Sequence, residues 1–146
     1  MFEIKEVNLE DIITFRHEIL RPHQSIEDCI YDTDQHKGTF HVGAFHDKKM
    51  ISIASFNMEF NDDLCAENPF RLRAMATKPE YRKLGAGRLI VMYAEKKLVH
   101  VGCDLLWCKG RTNVIEYYSK LGFVTYGDVF DYPPIGPHII LFKKMS

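Results

Sequence analysis

Met75-Ala76-Thr77-Lys78-Pro79-Glu80-Tyr81-Arg82-Lys83-Leu84-Gly85-Ala86-Gly87 is the stretch that decides the fold. The residues leading into it, Leu72 to Thr77, read as a strand that stops before Pro79. The residues after it, 87–100, read as a helix, with Ile90, Tyr93, Ala94, Leu98 and Val101 recurring at helical spacing. Two glycines, Gly85 and Gly87, sit at the helix start, where the backbone can approach an anion with no Cβ in the way. The first amides of that helix have no carbonyl partners, and the helix dipole favours negative charge beside them. Arg82, Lys83 and Arg88 add positive charge. The segment from Arg82 through Leu84 and Ala86 to Gly87 reads as a pyrophosphate cradle.

Working outward, Glu3 to Val7 forms a first strand, and Asn8 caps a helix whose inward face is Ile12, Phe15, Ile19 and Leu20. Pro22 ends that helix. A polar, acidic segment follows, His23 to Gly38, with a short helix near Ser25 to Tyr31. Thr39 to Phe45 and Met50 to Glu59 form a hairpin over the polar turn 46–49. Downstream of the cradle and its helix, Asp104 to Cys108 is a short buried strand. Asn113 and Glu116 are placed to cap a last helix with an inward stripe of Val114, Tyr117, Tyr118 and Leu121. Gly122 ends it, and Phe123 to Phe130 and Ile139 to Lys143 complete the sheet around a proline-rich loop, 133–137. No repeat or linker divides the chain, so residues 1–146 read as one α/β domain.

Arg-x-x-Gly-x-Gly after a strand, preceded by Pro79-Glu80-Tyr81, resembles the acetyl-coenzyme A loop of the GNAT superfamily of N-acetyltransferases. A second stretch, Asn113 to Phe123, is similar to a further motif of that family. The resemblance implies a mixed, mostly antiparallel sheet of about seven strands with helices on both faces, splayed between the fourth and fifth strands. It implies acetyl-CoA as cosubstrate, with the pantetheine arm along the backbone of Met75, Ala76 and Thr77, and the pyrophosphate on the amides of residues 82–87. A free amide near Met75 is then placed to serve the oxyanion. Tyr118, just before Ser119-Lys120-Leu121-Gly122-Phe123, matches the family's proton donor to the departing thiolate; read from the helix alone, it is a core aromatic. Tyr117 points about 100° away. Asn113 matches a pantetheine contact, a role that competes with capping, and Arg82 either meets phosphate or is a solvated loop charge.

The expected reaction is direct transfer of an acetyl group to an amine in a ternary complex. An ammonium of pKa near ~10.4 must first lose a proton. Many relatives carry a glutamate on the fourth strand, but here the strand reads Arg71-Leu72-Arg73-Ala74-Met75-Ala76, with no carboxylate. Glu59, acting through water, is the tentative base. His41 and His138 are alternatives, because a free imidazole titrates near ~6.5. The missing carboxylate also admits a module that binds acyl-CoA without chemistry.

Composition narrows the partners. Net charge is −1, yet residues 1–69 carry 6 Lys and Arg against 14 Asp and Glu, and residues 70–146 carry 13 against 6. The basic half suits a polyanionic cosubstrate; the acidic half is a candidate entrance for a cationic small-molecule amine. No basic-aromatic stripe points to nucleic acid, and no apolar run reaches the ~18 residues of a membrane span. The four cysteines show no zinc spacing, so a cytoplasmic protein with reduced thiols is expected, and the resemblance to the GNAT superfamily admits a homodimer. His36, His41 and His46 alternate faces on a strand, so no metal site is expected. Gly85-x-Gly87 with Asp104 downstream is a poor dinucleotide fingerprint, because the third glycine position holds Ile90 and the strand ends at Thr77.

Overall fold

The computed structural model describes residues 2–145. Seven strands form one sheet: β1 (Glu3–Glu6), β2 (Phe40–His46), β3 (Lys49–Met58), β4 (Pro69–Thr77), β5 (Leu105–Arg111), β6 (Val124–Tyr132) and β7 (Gly136–Lys144). Their order is β1-β2-β3-β4-β5-β7-β6, antiparallel throughout except for the β4–β5 pair. Three helices accompany them: α1 (Leu9–Phe15), α2 (Ala86–His100) and α3 (Ile115–Lys120). This is the mixed, mostly antiparallel architecture expected from the sequence.

The two faces of the sheet have separate cores. On one, Ile90, Val91, Ala94 and Leu98 of α2 pack with Val42, Phe56 and Leu72. On the other, Ile12 and Phe15 of α1 pack with Ile53 and Ala76. Asn8 caps α1 as its position predicts, accepting from the Asp11 amide at 2.9 Å. α1 then widens into a π-helical turn, Arg16–Leu20, that carries Arg16 into the interior.

Two expectations about local structure need correction. The cap of α3 falls on Val114, with no side-chain capping bond, and Asn113 lies in a preceding 3-10 turn, Thr112–Val114. Asn113 and Glu116 therefore do not cap that helix. The proline-rich loop is also shorter than its composition suggests. β6 runs on to Tyr132 and β7 begins at Gly136, so Pro137 lies inside a strand, opposite Asp131 on the terminal strand β6. Proline is tolerated in strands where no ladder bond needs its missing N–H.

The polar segment 23–38 is tied to the sheet by one buried ion pair. Arg16, fully buried, donates through both terminal nitrogens to the Asp34 carboxylate, at 2.7 and 2.9 Å. It also donates to the Cys29 carbonyl at 2.8 Å and to Ser55 Oγ at 2.9 Å. Asp34 accepts from the Tyr31 amide at 2.7 Å. A bidentate fork with its remaining donors used is the geometry in which a buried charge pair is tolerated.

Candidate active site

Everything in the site follows from how β4 is built. Ile53 of β3 faces Ala76 and Ser55 faces Arg73, so the single residue Ala54 faces both Ala74 and Met75. That is a β-bulge, and Ala74 takes the left-handed φ of 54° that it requires. The extra residue changes which side chains share a face. Before the bulge, Phe70 and Leu72 point toward α2 while Arg71 and Arg73 point the other way; beyond it, Met75 joins the α2 side and Ala76 the α1 side. Meanwhile β4 and β5 pair only over Pro69–Arg71 against Leu105–Trp107. From there β4 continues to Thr77 and β5 to Arg111 unpaired with each other, and β5 pairs instead with β7. The gap between the diverging strands is a cleft of about 600 Å3.

One end of the cleft is the loop after β4. Lys83 (φ 65°) and Gly85 (φ 88°) are both left-handed, and Gly85 precedes α2 with no side chain capping the helix. The loop therefore closes on the bare amides at the start of a 15-residue helix. Met75, Ala76, Thr77, Arg82, Lys83, Gly85, Ala86, Gly87 and Arg88 all border the cleft; Leu84 does not and is exposed. Arg82 donates through Nε to the Thr77 carbonyl at 3.2 Å, which fixes the loop to the strand end. A Cβ at Gly87 would meet the Tyr117 hydroxyl, so the glycine lets that side chain lie over the helix start.

Tyr118 borders the middle of the cleft. Its ring is clamped edge-on against Phe123 at 5.6 Å and Tyr117 at 5.4 Å. Gly110 of β5 leaves room for that ring, since a Cβ there would stand 3.3 Å from it and 2.7 Å from Leu141. Burial, then the neighbouring Cys108 and Tyr117, push the Tyr118 phenol well above its ordinary pKa, and Arg111 alone pulls it down. Tyr118 therefore holds its proton at neutral pH. Cys108, beside it, is pushed up to about 12 by burial and is no thiolate nucleophile. Asn113 borders the cleft as well.

The histidines separate. His138, 4% exposed, lines the cleft and packs edge-to-face with Tyr132, ring centroids 4.8 Å apart. Its Nδ1 is 2.9 Å from the Gly136 carbonyl. A carbonyl only accepts, so Nδ1 carries the hydrogen that it donates to Gly136. His41 is elsewhere, bonded to Ser55 Oγ at 2.7 Å and packed against Asp34. His36, His41 and His46 form no metal-binding group among the described residues.

Glu59 is also elsewhere. Its carboxylate pairs with Arg71 at 3.0 Å and accepts from Asn57 at 3.2 Å, and it lines a second, more open cavity with Asp62, Asp63 and Asp128. No Asp or Glu lines the cleft itself. The acidic half of the chain thus does not furnish the cleft with an acidic entrance. Asp104, the residue that weakly suggested a dinucleotide, accepts from the amides of Glu67 and Asn68 at 2.8 and 3.0 Å and holds that loop.

Sequence reasoning missed the far end of the cleft. Tyr31 arrives on the polar segment, Arg71 and Arg73 from β4, Lys109 from β5 and Tyr132 from β6. Arg71 and Arg73 were visible as an i, i+2 pair on one strand face, but nothing local signals which strands they meet. Tyr117 also reaches the cleft, its hydroxyl 3.4 Å from Met75 Sδ. Both tyrosines reach it because a turn and a half of helix, between β5 and β6 in the chain, presents more than one face to a cavity this wide.

The acetyltransferase (GNAT) family model matches residues 7–123. This chain belongs to the GNAT family. An uncharacterized N-acetyltransferase of Bacillus subtilis strain 168, YitI, is 45% identical over 145 residues, covering 99% of this chain and 97% of that one. Among solved structures, Escherichia coli ElaA aligns with a TM-score of 0.78 at 14% identity, over 98% of this chain and 99% of its own. An aminoglycoside 6'-N-acetyltransferase complexed with coenzyme A aligns with a TM-score of 0.74 at 13% identity, over 99% and 97%. At such identities the structural matches speak to the fold, and the GNAT fold is the one described above. Membership of the GNAT family makes acyl transfer the general chemistry of the chain. No helix among the described residues is long and apolar enough to cross a membrane.

Proposed function

We propose that the protein transfers an acetyl group from acetyl-CoA to the amine of a small molecule, by direct attack within a ternary complex. One observation carries this reading: a single cleft joins the amide-lined loop 82–87 to the clamped Tyr118 and to His138, whose Nδ1 is held by the Gly136 carbonyl. Acetyl-CoA brings the activated acyl group as a thioester. The chain's own residues do the rest. The unpaired amides at the start of α2, with Lys83 and Arg88 beside them, suit a diphosphate. The edge of β4 that β5 leaves open offers strand-like pairing to a pantetheine arm. Asn113, freed from capping, is available to the same arm.

Proton movements fall to two side chains. His138 accepts the acceptor's proton at Nε2, while the Gly136 carbonyl holds the ring's other face. Tyr118 delivers its hydroxyl proton to the leaving sulfur, and Arg111 favours the phenolate that results. Glu59, neutralised by Arg71 and facing the second cavity, is not assigned the base role.

The test is calorimetric titration with acetyl-CoA, followed by thiol release in the presence of primary amines. Saturable binding and amine-dependent thiol release are expected, with turnover slowed in Tyr118→Phe and acetyl-CoA affinity near normal. Tight binding with no turnover for any amine would leave a non-catalytic acyl-CoA module instead. Absence of binding by any CoA species would refute the reading.

A further inference from the structure

We propose that the acceptor amine carries a carboxylate, and that Arg73, assisted by Arg71 and Lys109, holds it; this rests on the acyl-transfer reading above and names its substrate class. The cleft is bordered by eight Lys and Arg side chains and no Asp or Glu. Arg82, Lys83 and Arg88 sit at the loop end, where a diphosphate accounts for them. Arg71 and Arg73 do not. At about 3.3 Å per residue, they lie roughly 20 and 13 Å along β4 from its end at Thr77, beyond the reach of phosphates on the loop.

Arg73 is half-buried and pairs with no carboxylate among the described residues. Its guanidinium lies 4.1 Å over the ring of Tyr31, which also carries Arg16 at 4.1 Å and receives Arg21 Nε at 3.4 Å. Stacking holds the planar group in place and leaves its edge donors open. Arg71, 7% exposed, spends one nitrogen on Glu59, but its Nε has no partner among the described residues. Lys109 reaches in over the ring of Tyr132, with Nζ 5.3 Å from the centroid.

Burial, then the charge of Arg71, push the Arg73 pKa down, so the fold holds this cation at a cost that an anion would relieve. Two forked guanidiniums match a carboxylate in shape as well as charge. The same cations disfavour an ammonium beside them, so an acceptor anchored by its carboxylate gives up its amine proton more readily. The rival is a polyamine drawn by Asp62, Asp63 and Asp128, but those groups line the second cavity beyond the Glu59–Arg71 pair.

The experiment sets the proteinogenic amino acids, each beside its own carboxamide, against spermidine. Binding to CoA-loaded protein is read by calorimetry and turnover by thiol release. A charge-assisted contact predicts that the best amino acid exceeds its carboxamide by about ten-fold or more in both readouts. Arg73→Gln should abolish that margin and Arg73→Lys keep part of it, with thermal midpoint and acetyl-CoA affinity confirming that both variants fold. The proposal is overturned if carboxamides or spermidine do as well, if Arg73→Gln keeps the margin, or if no amino acid binds. In those cases thiol release with spermidine would leave acyl transfer standing. Conversely, Arg73-dependent binding of an amino acid without turnover of any amine would support the anion site and remove the catalytic reading.

Discussion

Tyr118 and His138 both reach the cleft, one on a short helix and the other on a strand beside β5, and a backbone contact helps to set each. For Tyr118 it is the bare backbone of Gly110, against which the ring lies. For His138 it is the Gly136 carbonyl that fixes the tautomer. Removing the hydroxyl in Tyr118→Phe leaves the ring clamped and should lower kcat by about 10²-fold or more, as loss of a general acid does, with acetyl-CoA binding nearly unchanged. Replacing the imidazole in His138→Gln should lower kcat by a similar factor with acetyl-CoA binding nearly unchanged; an unchanged kcat would assign the base elsewhere. Asp34 is decisive for a different reason. It is the counter-charge of a fully buried arginine, and Asp34→Asn should cost about 3–5 kcal/mol in urea denaturation, because the guanidinium stays behind without its partner.

At the scale of elements, β4 and the loop after it do what no single side chain can. Across the bulge at Ala74, Arg71 and Arg73 face away from α2 while Leu72 and Met75 stay in the α2 core. Gly85 then turns the chain so that α2 starts facing the gap. A Cβ at Gly85 would meet nothing within 4 Å, so its only obstacle is the φ of 88°. Gly85→Val therefore isolates the conformational requirement. It should cost about 1–2 kcal/mol of stability and weaken acetyl-CoA binding in a titration, whereas Leu84→Ala, at an exposed position off the cleft, should leave that affinity alone.

For the whole molecule, the segment 23–38 is bound to the sheet through groups that titrate in acid. Burial raises the Asp34 pKa, but the hydrogen bonds from Arg16 and the Tyr31 amide and the Arg16 charge outweigh it and leave it below its ordinary value. Its contribution to stability is present above about pH 4, the unfolded carboxylate range, and is lost as pH falls through the lowered native value. His41, against Asp34, Arg16 and Ser55, is pushed down chiefly by burial and further by Arg16, over the opposing pull of Asp34. Its contribution is complete above about pH 6.5 and declines as pH drops toward its native value. Urea midpoints should fall from pH 7 to pH 4 and more steeply below. Asp34→Asn should show a shallower acid limb than the parent, and identical limbs would place the acid sensitivity outside this cluster.

The sequence alone determined the order of elements, the glycine turn before α2 and the position of Tyr118, because these rest on local rules. Strand and helix periods, a proline stop, two glycines and a helix start lie within a few dozen contiguous residues, and backbone sterics enforce them wherever the chain goes. It misplaced the cap of α3 and the extent of the β6–β7 turn, since where β5 releases the chain into α3 and how far β6 and β7 pair depend on neighbours far along the chain. It also could not choose among Glu59, His41 and His138. The tertiary structure separates their positions. Two were drawn into ion-paired or hydrogen-bonded clusters away from the cleft, and the third was left lining it. The face that Arg71 and Arg73 present was likewise settled by the register of β4 on β3, where a single extra residue changes the parity of the strand and no local signal marks it.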